Sequence, residues 1–425
     1  MYDTRFSAEV QGRVSQFKGF LLQEGFSRPV ARCTSEVVLG LVKCRVVQVQ
    51  GLARGLGEQI SLKKTYERLR RGLGRVGLWE QLTEAHLKCH ARQIRRMRYC
   101  ILDVSDVQKP YGTKAEGLAL VRDGSAGAQD RVGPGYWWIT GVMSDGKELL
   151  PVHSELFSVE AEAAEHASEN KKLVGVAERI HRLHPDAVMV LDRGGDRNTI
   201  LEPFLRAGIP FVVRSMSSRN LRLHGDSMKE TNIEQIAGKV RLTERRTVWR
   251  PGRHRRGKST VFELGIKRVY LGEHALWLVA CRRQGGGLSW YLTTCTGSRH
   301  QIVSRVLEGY TERWRIEELH RHIKQDFRLE QIAVRDYPSI KALGVLVMLA
   351  ASFVMRLPPS LMHQILAVTG VLPRKRLSDI PRYPFYLVCQ ALAKLLAAAG
   401  KRPPTPLYLR RRDYWQLKLN LVPMA

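Results

Sequence analysis

The chain has too few cysteines, too widely scattered, for a disulfide framework or a zinc site. Its 425 residues contain seven cysteines, with no C-x-x-C pair and no histidine at zinc-finger spacing. An odd number of isolated cysteines indicates reduced, mostly buried thiols. Any metal is therefore expected to be held by oxygen ligands, which favours magnesium or manganese.

Long apolar runs are also missing. The longest, Ala342 to Met355, is too short to span a bilayer comfortably. Residues 1–16 lack the apolar core of a signal peptide. We therefore expect an intracellular, cytoplasmic protein that has no membrane partner.

Acidic residues are scarce relative to basic ones. There are 40 Asp and Glu against 69 Lys and Arg, which gives a formal charge of +29 and a pI near 10.2. This balance favours a polyanionic partner such as nucleic acid. It argues against a glycosidase that uses paired carboxylates, because a strong positive charge does not help to bind a neutral sugar. The hydrophobic content of 44% is ample for a globular core.

The order of apolar segments predicts an α/β fold. Residues 1–97 read as helices with basic faces, without a helix-turn-helix signature. Strand-like runs then follow at 99–107, 135–143 and 148–157, then a helix at about 159–184, a strand at 187–191, a helix, and a strand at 210–214. This order is that of a ribonuclease-H-like core. Further strand-like segments between 216 and 300 interrupt it.

Two aspartates close apolar strands of this predicted sheet. Asp103 and Asp192 occupy positions where a rigid backbone holds a side chain at the rim of a sheet, as a catalytic metal site requires. Alternatives remain open at this point. Asp103 could be a strand-end cap, and Asp106 competes with it from the opposite face. Asp192 could shape the following Gly-Gly turn, while Asp196 is interpreted as a cap for the helix near Asn198.

A basic and acidic helix completes the pattern. At about 100° per residue, Tyr310, Arg313, Glu317 and Lys324 fall within an arc about 60° wide, so a single helix would present them on one face. A surface helix with ion pairs between successive turns would show the same spacing.

These residues carry a resemblance to a known family. Tyr310, Arg313, Glu317 and Lys324 match without a gap the Y-(2)-R-(3)-E-(6)-K signature of the YREK group of DDE transposases from bacterial insertion sequences, the IS-four-like proteins. Asp192-Arg193 is similar to the family's second acidic motif, although Gly194 stands where that motif often has Glu. The stretch ILDVSDVQKPYG resembles the first motif, with Asp103 as ligand and Ser105 as hydroxyl. The resemblance covers about residues 99–335.

The resemblance implies a division of the chain and of the site. It implies an RNase H-like catalytic core at 98–215 and 301–335, a β-rich insertion at 216–300, an N-terminal helical DNA-binding region at 1–97, and a C-terminal helical region at 336–425 that could dimerise. Asp103, Asp192 and Glu317 would be the catalytic residues and the ligands of two Mg²⁺ ions, for which Mn²⁺ could substitute. Tyr310, Arg313 and Lys324 would hold phosphates of the DNA.

The implied function is that of a DNA transposase. It would cleave at the ends of an insertion sequence and join them to target DNA by metal-dependent phosphoryl transfer. The enzyme would act as a homodimer on paired ends of double-stranded DNA and associate with the bacterial nucleoid. The alternative is a domesticated, non-catalytic DNA-binding relative.

Two further sets of residues are candidate DNA contacts. The basic run 241–258 predicts backbone contacts by Arg253, Arg255 and Arg256, with a disordered charged loop as the alternative. In the insertion, where the resemblance places an aromatic that stacks on a flipped base, the candidates are Trp277 and Trp290. Each shares its strand face with apolar residues, so a core role is the alternative for both.

Overall fold

The computed structural model describes nine stretches of the chain: 4–110, 112, 114–122, 132–162, 168–223, 229–237, 239–250, 258–371 and 383–398. All seven cysteines lie in these stretches, and all are unpaired. Five of them are buried, which agrees with the expectation of reduced, mostly buried thiols.

The chain begins with helices that pack on one another through apolar faces. Their bounds are Thr4–Gln23 (α1), Arg28–Cys44 (α2), Val49–Leu56 (α3), Leu62–Leu73 (α4) and Leu78–Ile94 (α5). Helix α2 starts with proline in its first turn, and the residue that caps its C-terminus, Arg45, has a left-handed backbone. It contacts α1, α3 and α4, so it is the centre of this helical region.

A mixed sheet follows and forms the core of the fold. Its elements are β1 (Tyr99–Gln108), β2 (Ala119–Arg122), β3 (Val132–Ser144), β4 (Leu149–Phe157), α6 (Glu169–Leu183), β5 (Val188–Leu191), α7 (Asn198–Arg206) and β6 (Phe211–Ser215). The strands lie in the order β4-β3-β1-β5-β6, with β1, β5 and β6 parallel and β3 antiparallel to β1. Strand β5 is buried along its whole length, as expected for a strand covered on both faces.

The insertion extends this same sheet. It contains β7 (Asn220–Arg222), β8 (Glu230–Asn232), α8 (Ile233–Ala237), β9 (Glu244–Arg250), β10 (Lys258–Leu271), β11 (His274–Arg283) and β12 (Leu288–Thr293). Strand β12 pairs antiparallel with β6, so the insertion joins the edge of the core sheet directly. The predicted β-rich segment is therefore part of one continuous sheet.

Helices close the described chain. They are α9 (Arg299–Glu312), α10 (Trp314–Asp326), α11 (Tyr337–Met355), α12 (Pro359–Thr369) and α13 (Phe385–Ala398). Helix α11 is longer than the apolar run that the sequence suggested. By length and composition it could cross a membrane, but 83% of its most apolar window is buried inside the fold. Its contacts with β4, α2 and α5 make it a core helix of this structure.

The predicted fold class is confirmed: a mixed α/β structure with a central sheet and helices at both ends. Two local predictions were wrong. The helix predicted at about 159–184 begins only at Glu169. The helix predicted across 310–324 is divided, because α9 ends at Glu312 and α10 begins at Trp314, with Arg313 at the junction.

Candidate active site

Asp103 and Asp192 are brought together by parallel strand pairing. Strand β1 pairs with β5 in the register Tyr99 to Val188 through Ile101 to Val190. Continuing this register by two residues places Asp103 beside Asp192, where β5 ends. Both side chains line one cavity of about 920 Å³. Asp192 therefore lies at the end of its strand as predicted, whereas the prediction that Asp103 closes its strand was wrong, because β1 continues to Gln108 through its pairing with β3.

Helix α10 brings the third carboxylate to the same cavity. Glu317 and Lys324 both line it, together with His320 between them. The Nδ1 atom of His320 lies 3.8 Å from Oδ2 of Asp103, and Lys324 Nζ lies 3.9 Å from Oδ1 of Asp106. The helix therefore runs along β1 and presents its polar side to the strand.

A buried lysine fixes the end of α10 relative to β1. Lys109, directly after β1, donates hydrogen bonds from Nζ to the backbone carbonyls of Glu330 (3.0 Å) and Ile332. These carbonyls belong to the segment that follows α10. Burial lowers the pKa of Lys109, because desolvation disfavours the charged ammonium group. The hydrogen bonds to the two carbonyls offset this free-energy cost. This contact ties the segment after α10 to the end of β1.

The carboxylates repel one another across the cavity. Burial and the neighbouring Asp192 raise the pKa of Asp103 to about 7, and Glu317 adds to the effect. Arg313 opposes it. The Arg313 Nη2 atom lies 2.6 Å from Oε1 of Glu317, so this guanidinium partly neutralises the acidic cluster.

Asp103→Asn is expected to stabilise the metal-free protein at pH 8. Because the pKa of Asp103 is raised in the folded state above its unfolded value of 3.8, ionisation costs stability as the pH rises through the interval between the two values. Asparagine mimics the neutral carboxyl. The melting temperature should therefore rise by a few degrees at pH 8 and remain unchanged at pH 3.5. An equal shift at both pH values would contradict this explanation.

The donor chemistry of the cavity fits divalent cations. Its candidate ligands are carboxylate oxygens, which hard cations prefer, and their mutual repulsion is what a dication would relieve. Within the described stretches, no three His, Cys, Asp or Glu side chains already converge at ligand distance, and Glu317 is engaged with Arg313. Asp103, Asp192 and Glu317 would hold the metal after Glu317 exchanges this partner.

The two competing aspartates have different surroundings. Asp106 reaches the same cavity, although alternation along the strand placed it on the opposite face. It is only 5% exposed and accepts a hydrogen bond from Gln108. Asp106 therefore remains a competitor for the role of first ligand.

Asp196 does not cap the helix near Asn198. That helix begins after Arg197 and has no side-chain cap. The carboxylate of Asp196 instead accepts hydrogen bonds from Ser215 Oγ (2.7 Å), the Met216 amide (2.9 Å) and Arg219 Nε (2.8 Å). The capping prediction was wrong because partners on β6 and beyond it take the carboxylate.

Asp192 has few partners by comparison. Its Oδ1 atom accepts a hydrogen bond of 2.7 Å from the Gly194 amide, which shapes the turn as the sequence suggested. A β-carbon at Gly194 would lie 3.0 Å from the same oxygen. The side chain still faces the cavity, so shaping the turn and facing the cavity are compatible.

Three of the four signature residues divide between two cavities, and Arg313 lines neither. Tyr310 lies on α9 and packs on Tyr291, with ring centroids 4.7 Å apart. It lines a second cavity of about 190 Å³ with Trp314, Phe262 and others. The guanidinium of Arg313 lies 5.6 Å from the Tyr310 ring and 5.3 Å from the Trp314 ring. Arg313 therefore connects the aromatic cavity to the acidic one.

His320 lines the acidic cavity but was not among the residues predicted from the sequence. The Nε2 atom of this buried residue lies 2.7 Å from Thr140 Oγ1, and its ring lies 4.7 Å from that of Trp138. Burial lowers its pKa to about 3, so it is neutral beside Asp103. Its position three residues after Glu317, on the same side of the helix, was the signal that could have identified it. Ser105, the expected hydroxyl, also lines the acidic cavity.

The remaining candidate DNA contacts lie apart from both cavities or outside the described residues. Trp290 is 8% exposed and packs within the core, while Trp277 is half-buried with the Arg268 guanidinium 4.7 Å from its ring. Neither lines the acidic or the aromatic cavity. Arg253, Arg255 and Arg256 lie outside the described residues.

Carboxylates on two adjacent parallel strands, one within β1 and one directly after β5, with a third on a helix that lines the same cavity, are an arrangement suited to phosphoryl transfer. A family model agrees with this class. Residues 149–353, a little under half of the chain, match the family described as Transposase DDE domain. The match supports a DDE transposase. It includes Asp192 and Glu317 but begins after Asp103, so the placement of Asp103 rests on strand pairing. A search of curated proteins gave no match.

Proposed function

We propose that the protein is a transposase of the YREK group, which cleaves DNA at the ends of an insertion sequence and joins them to target DNA. The observation that carries this proposal is the meeting of Asp103, Asp192 and Glu317 around one cavity. The Transposase DDE domain match and the charge of +29 support it. A DNA nicking assay with and without Mg²⁺ tests it.

The three carboxylates have a defined role in this proposal. A pair of divalent cations, when bound, would stabilise both oxygens of an in-line phosphoryl displacement. Asp103 and Asp192 would hold the metal from neighbouring strands, since the register of β1 and β5 places them side by side, and Glu317 would hold it from α10. His320 would orient Asp103 through its contacts with Thr140 and Trp138. Magnesium is the proposed ion, with manganese as a substitute.

The cationic signature residues would position the DNA backbone. Arg313 provides a planar fork that suits a phosphate, and Lys324 provides a mobile point charge. Both already lie beside the carboxylates, Arg313 on Glu317 and Lys324 near Asp106. Entry of a phosphate would draw Arg313 from Glu317 and free that carboxylate for metal. Tyr310 would contact the DNA from the adjoining cavity.

Trp314 is the aromatic residue best placed to stack on a displaced base. Its side chain is 56% exposed and lines the aromatic cavity next to Arg313. Stacking is worth roughly 1–3 kcal/mol per base. Trp314→Ala is therefore expected to slow cleavage about ten- to hundredfold if the contact is made in the transition state. The measurement is the cleavage rate on a duplex end.

The control is the same assay on an end that is abasic at the candidate nucleotide. Trp314→Ala should have little further effect on that substrate. Trp277→Ala is the matched tryptophan variant. That Trp277 or Trp290 stacks on the base stays a prediction. If Trp277→Ala instead of Trp314→Ala slowed cleavage of the ordinary end, and had no effect on the abasic end, the stacking residue would lie in the insertion.

The alternative function is a domesticated DNA-binding relative without catalysis. Full binding of DNA with no metal-dependent nicking by the wild-type chain would favour it. The remaining parts of the proposal are a homodimer acting on paired ends, a dimer contact in the region 336–425, and backbone contacts by Arg253, Arg255 and Arg256. Division into the five regions predicted from the sequence, and a cytoplasmic, nucleoid-associated location, also belong to it.

A further inference from the structure

Helix α4 is fastened to α2 along one face. Thr65, Leu69 and Leu73 are buried on this face. The Cys33 thiol of α2 donates a hydrogen bond to the Leu69 carbonyl, and a β-carbon at Gly72 would lie 2.3 Å from the Cys33 sulfur. Such close approach of the two helices requires glycine at this position. The orientation of α4 is therefore fixed by packing.

An ion-pair network fixes the flank of the same helix. Arg68 donates to Glu36 of α2 and, at 2.5 Å, to Glu58 in the turn before α4. Glu58 also accepts hydrogen bonds of 2.8 Å from Arg32 and from the Thr65 hydroxyl. The two carboxylates nearest to α4 are thus engaged by Arg68, Arg32 and Thr65.

The opposite face of α4 is charged and exposed. Lys63, Lys64, Glu67, Arg70 and Arg71 all lie within an arc of about 120° on the helix. Among the residues that the structure describes, none of their side chains forms an ion pair or hydrogen bond. A purely solvated surface helix with these spacings would be expected to pair Glu67 with Lys63 or Arg71 one turn away. Here the cations on this face are left for another partner.

The charges on this face have an order. Glu67 lies at its centre, Lys63 and Arg70 lie on one side, and Lys64 and Arg71 lie on the other. A helix lying in the major groove meets base edges with the middle of its exposed face and a phosphate backbone on each side. The spacing of charge across α4 matches that geometry.

A short turn connects α3 to α4. Gly57, the residue after α3, has φ of 62°, and residues 57–61 join the two helices. The two helices contact each other, and α2 packs on both. A helix-turn-helix likewise joins two packed helices through a short turn and places the second helix in the major groove. The sequence alone had shown no such signature.

We propose that α4 is the helix that reads the DNA sequence, with Glu67 facing base edges and the four cations gripping the two flanking backbones. A carboxylate in the major groove accepts a hydrogen bond from the N4 amino group of cytosine. The inference rests on the proposed function only in that the partner is double-stranded DNA. It assigns sequence readout to a place apart from the catalytic cavity.

The test uses the full chain and a duplex enriched by the wild-type protein from a library of randomised 30-base-pair duplexes. Binding of this duplex and of a scrambled duplex is measured without divalent metal. Glu67→Gln should lower the preference for the enriched duplex about tenfold while leaving affinity for the scrambled one within about threefold. The paired substitutions Lys63→Gln with Lys64→Gln, and Arg70→Gln with Arg71→Gln, should each weaken binding to both duplexes.

Salt dependence distinguishes backbone contacts from a general loss of charge. Each α4 pair should lower the log–log salt slope by roughly two. The matched control is Arg92→Gln with Arg96→Gln, which removes two exposed cations near the end of α5 and should change the slope by less than one. Circular dichroism confirms that the variants fold, as expected because the packing face and Arg68 are untouched.

The outcomes separate this inference from the proposed function. Unchanged discrimination by Glu67→Gln, or α4 pairs that behave like the α5 control, would overturn the role of α4 while leaving transposition standing. Failure of the wild-type chain to bind duplex DNA at all would overturn both. Normal sequence selection by a chain that shows no metal-dependent nicking would leave α4 as the reader and remove the catalytic proposal.

Discussion

Asp103→Asn, Asp192→Asn and Glu317→Gln are each expected to abolish strand cleavage while leaving DNA binding largely intact. Each substitution removes one anionic oxygen donor from the cavity and leaves the basic surface unchanged. Metal-assisted stabilisation of phosphoryl transfer is worth several kcal/mol, so cleavage should fall roughly a thousandfold or more. Gel shifts and nicking assays on the same preparations measure the two properties separately.

Matched substitutions make this prediction specific. Glu318→Gln removes the same charge from the next position of α10, and Asp186→Asn removes one just before β5; neither residue lines the acidic cavity. Both should cleave at near wild-type rates. A metal-dependent rise in melting temperature, present in the wild type and lost in the three cavity variants, provides a readout that does not depend on cleavage.

Asp106 provides the decisive comparison for the first ligand. It shares the cavity with Asp103 and lies near Lys324. If Asp103 is the ligand, the Asp106→Asn variant should still cleave DNA at a measurable rate. Its cleavage rate should fall only to the extent that the substitution shifts the end of β1. Retained nicking by Asp103→Asn, together with loss in Asp106→Asn, would transfer the first ligand to Asp106.

The order of the core strands could be predicted because it depends on local patterns. Continuous apolar runs such as that of β5 identify strands buried on both faces, and the residue that ends such a run lies at the sheet rim. Asp192 was located in this way, whereas β1 continues past Asp103 to Gln108, because its pairing with β3 extends the strand beyond the apolar run. The spacing of Glu317 and Lys324 on one helix likewise follows from helical periodicity, which needs no knowledge of distant residues.

Features that depend on distant contacts could not be predicted. Lys109 holds carbonyls more than 200 residues further along the chain, and no local pattern encodes that contact. The division of the signature helix at Arg313 separates Tyr310 from the acidic cavity, although the sequence spacing fits one unbroken helix. The mutual packing of α3 and α4 also depends on contacts with α2, which no local sequence pattern encodes.

The roles of the two aspartates in the turn after β5 can be separated by stability. Asp196 is 2% exposed and binds Arg219, Ser215 and the Met216 amide. Asp192 accepts a hydrogen bond from the Gly194 amide, and its side chain faces the cavity. The first is placed to hold the fold, and the second to hold a ligand.

Asp196→Ala is accordingly expected to destabilise the protein by about 3–5 kcal/mol, because it removes the buried carboxylate that pairs with Arg219 and accepts from Ser215 and the Met216 amide. At 2–4 °C per kcal/mol for a domain of this size, the melting temperature should fall by roughly 10 °C, whereas Asp192→Asn should leave it within a few degrees of the wild type. Asp186→Asn, an exposed acid nearby, is the control for loss of charge. At 15 °C the folded fraction of Asp196→Ala should still nick DNA in the presence of Mg²⁺. A stable but inactive Asp196→Ala protein, beside an active Asp192→Asn, would show that Asp196 is the second catalytic carboxylate.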